Sequence, residues 1–295
     1  MRIKRIVTDT ISHWWMVACL VIILLLPIII GFGLYLKSIP LYEQQGILQL
    51  IGSTNWSPHA GNFGFWPFIA GSLYVTILAF IFSAPVSLLA AIYLTQFSHS
   101  RLMRVIHPVI DILAGLPSVI YGVWGILVIV PFISDYLAPA FNIKSSGYTI
   151  LAGGIVLAVM CIPYILNMTI EVLNTVPIGL KEAALSLGAT SWESVKHVVI
   201  RRGFPGIISA FGLGIAKAFG ETMAVMMVVG NMVQVKFSPF EAGYPLPSLI
   251  ANNYGEMLSI PLYDSALMFA ALLLLVIILL INLLFRYIIF KTREH

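Results

Sequence analysis

Six long apolar runs dominate this sequence and restrict the folds open to it. They cover approximately residues 14–36, 67–96, 108–133, 148–172, 204–231 and 264–290. At about 1.5 Å per residue, each run is long enough to cross roughly 30 Å of hydrocarbon as a helix. Charged residues make up 9% of the chain, against about 25% in soluble domains. We therefore predict an all-α membrane protein in which residues 1–295 form a single domain of six transmembrane helices.

Basic residues indicate the orientation of these runs. Because lysine and arginine side chains resist translocation, the connections that carry most of them are expected on the cytoplasmic side. That set comprises Arg2, Lys4, Arg5, Arg101, Arg104, Lys181, Lys196, Arg201, Arg202, Arg286, Lys291 and Arg293, whereas the other side has Lys37, Lys144 and Lys236. We predict that both termini are cytoplasmic. This placement explains the net charge of +4 without a nucleic-acid partner.

A polar segment, Lys181 to Arg202, interrupts the apolar sequence between the fourth and fifth runs. Its first part favours a helix, Gly188 permits a left-handed exit, and Thr190 or Ser191 is suited to cap a second helix. Two short helices joined at the glycine would form a compact projection onto which a partner docks. An amphipathic pair lying on the membrane would also explain Trp192 and the valines after it, so the residues alone leave both interpretations open.

The segment EAALSLGATSWESVKHVVI resembles the EAA loop of ABC importer permeases. The residues that match the pattern are Glu182, Ala183, Ala184 and Gly188, and Arg201 stands where the family has proline. In that family the loop forms a coupling helix that sits in a cleft of the ATPase subunit. The resemblance therefore implies an ABC type I importer permease fold with a cytoplasmic coupling loop at about 178–202. It also implies two separate ATPase subunits that bind ATP and Mg, with no cofactor in this chain.

Two further motifs resemble the phosphate-specific permeases. They are LAGLPSVIYGVWG, from Leu113 to Gly125, and GLGIAKAFGETMAVMMVVGN, from Gly212 to Asn231. Their residues resemble the PstC-type subunit more closely than its PstA-type partner. The resemblance implies a PstA-like second permease, PstB-like ATPases and a PstS-like extracytoplasmic phosphate-binding protein, assembled in the bilayer of the inner membrane. Three alternatives are not excluded by the sequence. The chain could be the PstA-type subunit, it could form a homodimer, or the transported ion could be a related oxyanion such as molybdate, tungstate or sulfate.

Two charged residues in the fifth run, Lys217 and Glu221, are predicted at or beyond the membrane midplane. A lysine at the centre costs roughly 2.5–3.5 kcal/mol on insertion scales, and such groups usually face a cavity or a partner. The spacing of four residues places both on one helix face. They form either a self-neutralising ion pair or part of an anion path. In the second case Lys217 supplies a cation, Glu221 accepts a hydrogen bond from protonated phosphate, and the adjacent Thr222 lines the same path.

Asp111 is a weaker candidate, because it follows Arg104 and His107 at the cytoplasmic edge of the third run. Asp111 either pairs locally with Arg104 or His107 at the membrane interface or acts as a gate residue, and the sequence leaves both interpretations possible. The second run carries a stripe of small polar residues on one helix face, which more often joins helices than wets a pore. This stripe consists of Ser72, Thr76, Ser83 and Ser87.

The two longer exported connections, about 38–66 and 233–263, are rich in turn-forming residues. They are predicted either to cap the helices or to form a docking surface for an extracytoplasmic partner, with Pro245 and Pro247 presenting a short segment. The chain has no Gly-rich phosphate loop and no catalytic constellation. These absences favour a transport subunit over an intramembrane enzyme, and the EAA-like loop favours an importer over a passive channel.

Overall fold

Six helices of membrane-crossing length form the body of the chain. The structure is a computed structural model that describes residues 2–235, 238–257, 260 and 262–293. Spans one to six are, in order, Ser12–Gln44, Trp66–Phe97, Ser118–Ala140, Ile150–Asn174, Ser191–Phe219 and Tyr263–Thr292. The predicted fold class is therefore confirmed. Of the cations used to predict orientation, Lys236 and the side chains of Arg2, Lys4, Arg5 and Arg293 lie outside the described residues.

Shorter elements connect the spans. The helices are Ile47–Gly52, Ser100–Gly115, Ile178–Ser186, Met223–Met226 and Leu246–Asn253, with a 3-10 turn at Pro58–Ala60. An antiparallel pair joins the strands Trp56–Ser57 and Asn62–Phe63. Wider π-type turns occur within the spans at Tyr93–Phe97, Gly125–Ile129, Ile133–Leu137 and Val195–Val199. We call the end of the bundle that carries Arg101 and residues 178–202 the basic end, and the opposite end the far end.

Spans two and four pack together at the centre of the bundle. Their approach is close, since a Cβ on Gly154 would lie 2.8 Å from Leu78 Cβ. The polar stripe of span two faces inward, and all four of its residues are buried. Ser87 Oγ donates to Ile162 O at 3.2 Å, and Ser72 Oγ accepts from Leu246 N at 2.8 Å. These two serines join segments of the protein, as the sequence predicts.

The third span begins later than the predicted run of about 108–133. A first helix, Ser100–Gly115, ends within the predicted run, and the helix of the third span begins only at Ser118. Leu116 is extended, with φ −64° and ψ 135°, because the residue before a proline is kept out of the helical region. Pro117 also lacks the N–H needed to continue the helix. Residues 108–115 therefore belong to a separate helix.

The fifth span ends earlier than the predicted run of about 204–231. Its helix stops at Phe219, and the chain then folds into the short helix Met223–Met226. This short helix packs against span three at Gly122, where an added Cβ would lie 3.3 Å from Ala224 Cα. Because the residues beyond Phe219 remain apolar, hydropathy does not mark the end of the span. The helix gives way at Gly220, and the turn after it packs against span three.

The far-end connections cap the bundle and do not present a docking segment through Pro245 and Pro247. Both prolines are buried, and the helix Leu246–Asn253 that contains Pro247 packs inside the protein. Gly71 of span two lies against this segment, since an added Cβ would be 3.2 Å from Tyr244 O. Of the two interpretations of these connections, capping is supported and the exposed proline segment was wrong, because turn-forming residues do not show whether a loop is buried or exposed.

Span one stands apart from this bundle. Its most apolar stretch is not buried inside the chain at all, and Ile22 and Leu24 are both more than 60% exposed. Contact with span six is made at its far end, where the rings of Tyr42 and Phe269 meet edge to face at 5.5 Å. Lipid or a second subunit therefore surrounds most of this helix.

Candidate functional site

The predicted coupling loop, residues 178–202, has a well-defined first turn. Helix Ile178–Ser186 ends in a pair of backbone bonds, from Gly188 N to Leu185 O at 3.0 Å and from Ala189 N to Ala184 O at 3.2 Å. This is the Schellman arrangement, which needs a left-handed residue after the helix. Gly188 fills that position with φ +88°. The predicted glycine exit is confirmed.

The second helix of the loop begins at a capping box. Thr190 N donates to Glu193 Oε2 at 2.8 Å, and Glu193 N donates to Thr190 Oγ1 at 3.3 Å, so each residue caps the other. Thr190 is therefore the cap, and Ser191 is the first helical residue. The helix is not short, however, because it continues without a break to Phe219. The prediction of two short helices is corrected: the second is the beginning of span five.

The loop is held against the end of span two. Lys181 Nζ donates to Gln96 Oε1 at 3.1 Å, and Ser194 Oγ donates to Lys181 O at 3.3 Å. Val195 and Val199 are buried in a protein core at the basic end. These two valines do not face lipid, which removes part of the support for an amphipathic pair on the membrane surface, whereas Trp192 is 51% exposed, with its ring 6.5 Å from that of Phe97. The loop forms a fixed projection.

The tip of this projection carries apolar side chains that nothing in the described chain covers. Leu187 is 89% exposed and Ile178 is 72% exposed. Glu182 and Ala183 are exposed beside them, and Ala184 is half-buried. A rigid tip with exposed leucine and isoleucine side chains is suited to insert into a hydrophobic cleft of another protein.

Lys217 lies in the last turn of span five, where a cation complements the helix dipole. Its side chain is exposed, and Nζ lies 4.4 Å from the centre of the Tyr164 ring. Glu221 comes after the end of the helix, so the two charges do not share a helix face as predicted. No ion pair within 4 Å joins them. Among the described residues no carboxylate therefore neutralises the Lys217 ammonium, and its N–H groups that do not face the Tyr164 ring can donate to an anion.

Glu221 is half-buried, and its contacts lie with other residues than Lys217. Its Oε1 accepts weakly from Ala224 N at 3.5 Å. It also lines a cavity of about 10 Å³ together with Ser72 and Thr76, which is room for about one water molecule. Thr222 is half-buried, and its hydroxyl donates to Gly220 O at 3.4 Å. Glu221 and Thr222 follow Lys217 by four and five residues, just after the helix of span five ends at Phe219.

Asp111 has local partners at the basic end. Its Oδ2 lies 3.0 Å from His107 Nδ1, and its Oδ1 accepts from Asn167 Nδ2 at 3.1 Å. The histidine was one of the two expected partners. Asn167 is on span four, three residues from Tyr164, so the two share a helix face. One face of span four therefore leads from the Asp111 contact toward Lys217.

Sequence reasoning missed Tyr164 and Asn167. Neither belongs to a charged pair or a motif, and each meets its partner on another helix, so no spacing along the chain could reveal them. The only available signal was polarity within an apolar run, since both lie in the otherwise apolar span four.

Known proteins that are similar to this chain in sequence are transport-system permeases. The family described as binding-protein-dependent transport system inner membrane component matches residues 83–294. A probable ABC transporter permease protein, YqgH, from Bacillus subtilis is 35% identical over 92% of this chain and 87% of its own. A phosphate transport system permease protein PstC from Xylella fastidiosa (strain Temecula1) is 38% identical over 75% of this chain and 74% of its own. The Haemophilus influenzae PstC is 34% identical over 94% and 91%.

Solved structures of two ABC transporters share the fold at low sequence identity. The MetNI methionine ABC transporter in an inward-facing form matches with a TM-score of 0.59 and 21% identity, over 77% of this chain and 97% of its own. An amino acid ABC transporter crystallised with histidines matches with a TM-score of 0.53 and 17% identity, over 77% and 93%. At these identities the likeness concerns the fold alone.

Proposed function

This chain belongs to the family of binding-protein-dependent transport system inner membrane components, and from that premise we propose that it is the PstC-type permease subunit of an ATP-driven importer of inorganic phosphate. Relatives named as PstC permeases match it over most of its length. The chain is a transport subunit, and we assign it no catalytic step.

The observation that carries the substrate assignment is the position of Lys217. It lies fifteen residues beyond Arg202, or about 22 Å along the helix at 1.5 Å per residue. An exposed, unneutralised ammonium at that depth is not stable against lipid. Its face of span five therefore meets water or a second subunit, and a partly dehydrated phosphate is a suitable ligand for it.

We extend the path from this cation along neighbouring residues. Glu221 and Thr222 follow Lys217 where the helix ends, and Glu221 supplies an acceptor for the proton of hydrogen phosphate, which sulfate lacks. Tyr164 holds the ammonium from span four. Toward the basic end, Asp111 is the candidate gate, because its contact with Asn167 joins two helices on the face that leads to Tyr164.

Coupling to ATP would occur at the projection around Glu182, Ala183, Ala184 and Gly188. Its exposed apolar tip supports docking into ATPase subunits, two in the assembly, which bind ATP and Mg. The exposed faces of spans one and five support pairing with a PstA-like permease, and a PstS-like binding protein would deliver phosphate at the far end. In this arrangement both termini are cytoplasmic.

Uptake of radiolabelled phosphate by cells that lack the gene tests the proposal. Cells complemented with the parent or with Lys217→Arg should take up phosphate, with sulfate and molybdate as weak competitors. Lys217→Met should lower uptake about 10- to 150-fold at equal membrane abundance, since a hydrogen bond to a charged group contributes roughly 1.5–3 kcal/mol. Lys144→Met is the matched control, because Lys144 is exposed in a far-end loop.

The outcomes test the importer assignment and the proposed anion path separately. Equal uptake by Lys217→Met and the parent would refute the anion path while leaving the importer in place. Complementation that restores uptake of molybdate or sulfate in preference to phosphate would assign the chain to a related oxyanion importer.

A further inference from the structure

A groove of about 750 Å³ opens at the basic end, between spans five and six. Lys196, Arg201 and Arg202 line it from span five, and Thr292 lines it from span six. All three cations are exposed. Among the described residues that line the groove there is no aspartate or glutamate. Its wall therefore has a concentration of positive charge that its own residues do not neutralise.

Two acidic residues on neighbouring turns of the described chain do not change this. Glu193 belongs to the capping box with Thr190, where both its backbone and its carboxylate are engaged. Glu171 lines an adjoining groove together with Arg202, but in the described part of the chain no ion pair within 4 Å joins the two. The guanidinium groups are available to an external anion.

An exposed apolar strip leads away from the groove along span six. Ile288 and Leu284 lie four and eight residues before Thr292, on the same helix face. They are 36% and 56% exposed. On the span-five side, Phe204 lines the groove and is 45% exposed. A charged recess thus continues directly into apolar surface of membrane-spanning helices.

We propose that this groove binds the head group of an anionic phospholipid, whose acyl chains lie along the Ile288 and Leu284 strip. Basic pockets between transmembrane helices on the cytoplasmic side are suited to anionic head groups. A free phosphate ion would use the cations and leave the apolar strip without a role. A docked acidic protein surface would likewise not need apolar side chains that continue into the membrane. The proposal is independent of the transported ion.

Native mass spectrometry of the full-length chain in detergent tests this. The chain is loaded with phosphatidylglycerol or phosphatidylcholine, and the retained lipid is measured for the parent, Arg201→Gln/Arg202→Gln and Arg201→Lys/Arg202→Lys. The double glutamine variant should lose about 30-fold of its phosphatidylglycerol affinity, which corresponds to about 1 kcal/mol for each of the two basic residues. The lysine variant should retain most of it, and the parent should prefer phosphatidylglycerol.

Arg101→Gln/Arg104→Gln is the matched control, because it removes two exposed cations from the same end of the molecule but outside the groove. It should bind lipid like the parent. Equal loss in this control would overturn the proposal by showing a general charge effect. Displacement of the lipid by excess inorganic phosphate would instead identify a free-anion site and would equally overturn it. Retention of phosphatidylglycerol by a folded Arg201→Gln/Arg202→Gln protein would do the same.

Discussion

Replacing Gly188 by alanine tests whether the coupling loop has the conformation described here. The residue has φ +88°, and an added Cβ would meet no atom within 4 Å. The substitution therefore introduces backbone strain without a steric clash. Gly179 is the matched control, because its Cβ position is also open but the residue lies within helix Ile178–Ser186.

The size of the effect follows from two opposing terms. A residue other than glycine costs roughly 1–2 kcal/mol in the left-handed region. Alanine also restricts the unfolded chain, which returns about 0.4–1 kcal/mol. The difference is about 1 kcal/mol against the closed loop, or about fivefold in its opening equilibrium. Gly188→Asn should show less, since asparagine tolerates this region. Gly179→Ala should be neutral or stabilise the helix by about 0.5–1 kcal/mol.

Hydrogen exchange of the Ala189 amide measures that equilibrium. In the closed loop this N–H donates to Ala184 O at 3.2 Å, so exchange requires the Schellman turn to open. In the purified full-length chain we expect exchange about fivefold faster for Gly188→Ala, an intermediate rate for Gly188→Asn, and no acceleration for Gly179→Ala. Equal rates in the parent and Gly188→Ala would show that the left-handed turn is not the solution conformation and would refute the reasoning.

Two other pairs of substitutions probe a buried hydrogen bond and the contact between Tyr164 and Lys217. Ser72→Ala removes the acceptor of the buried Leu246 N–H and should lower the free energy of unfolding by about 1–3 kcal/mol. Ser248→Ala removes a buried hydroxyl that has no partner among the described residues, so it should leave the free energy of unfolding unchanged or raise it. Denaturant titration in detergent measures both free energies. Tyr164→Leu removes the ring 4.4 Å from Lys217 Nζ and should lower phosphate uptake about 2- to 30-fold, since cation–π contacts contribute roughly 0.5–2 kcal/mol. Tyr164→Phe, which keeps the ring, should transport like the parent; equal uptake by both variants would contradict a role for the ring.

Local chemistry made much of the architecture predictable. Apolar runs long enough to span a bilayer identified six helices, and the Gly188 exit and the cap at Thr190 followed from backbone preferences of single residues. These features depend on neighbours within a few positions. The break before Pro117 was also available from a local rule, but an apolar run that continues across it concealed the boundary.

What the sequence did not reveal depends on contacts between distant segments. After span five ends at Phe219, the next turn packs against Gly122, and Pro247 is buried beside residues of span two. The ring of Tyr164 meets Lys217 from another helix. In a chain that is apolar nearly throughout, hydropathy identifies a helix but does not tell which of its faces meets protein and which meets lipid.

The helix from Ser191 to Phe219 is continuous, although it includes a π-type turn at Val195–Val199 and Pro205, and its length would let it transmit a tilt as a lever does. Its coupling-loop end and Lys217 are separated by about 39 Å at 1.5 Å per residue. A tilt of about 5° at the Thr190 end would therefore displace the lysine ammonium by about 3 Å, roughly the length of one hydrogen bond. If Lys217 contacts the transported anion as proposed, a small push on the projection at the basic end would be enough to make or break that contact.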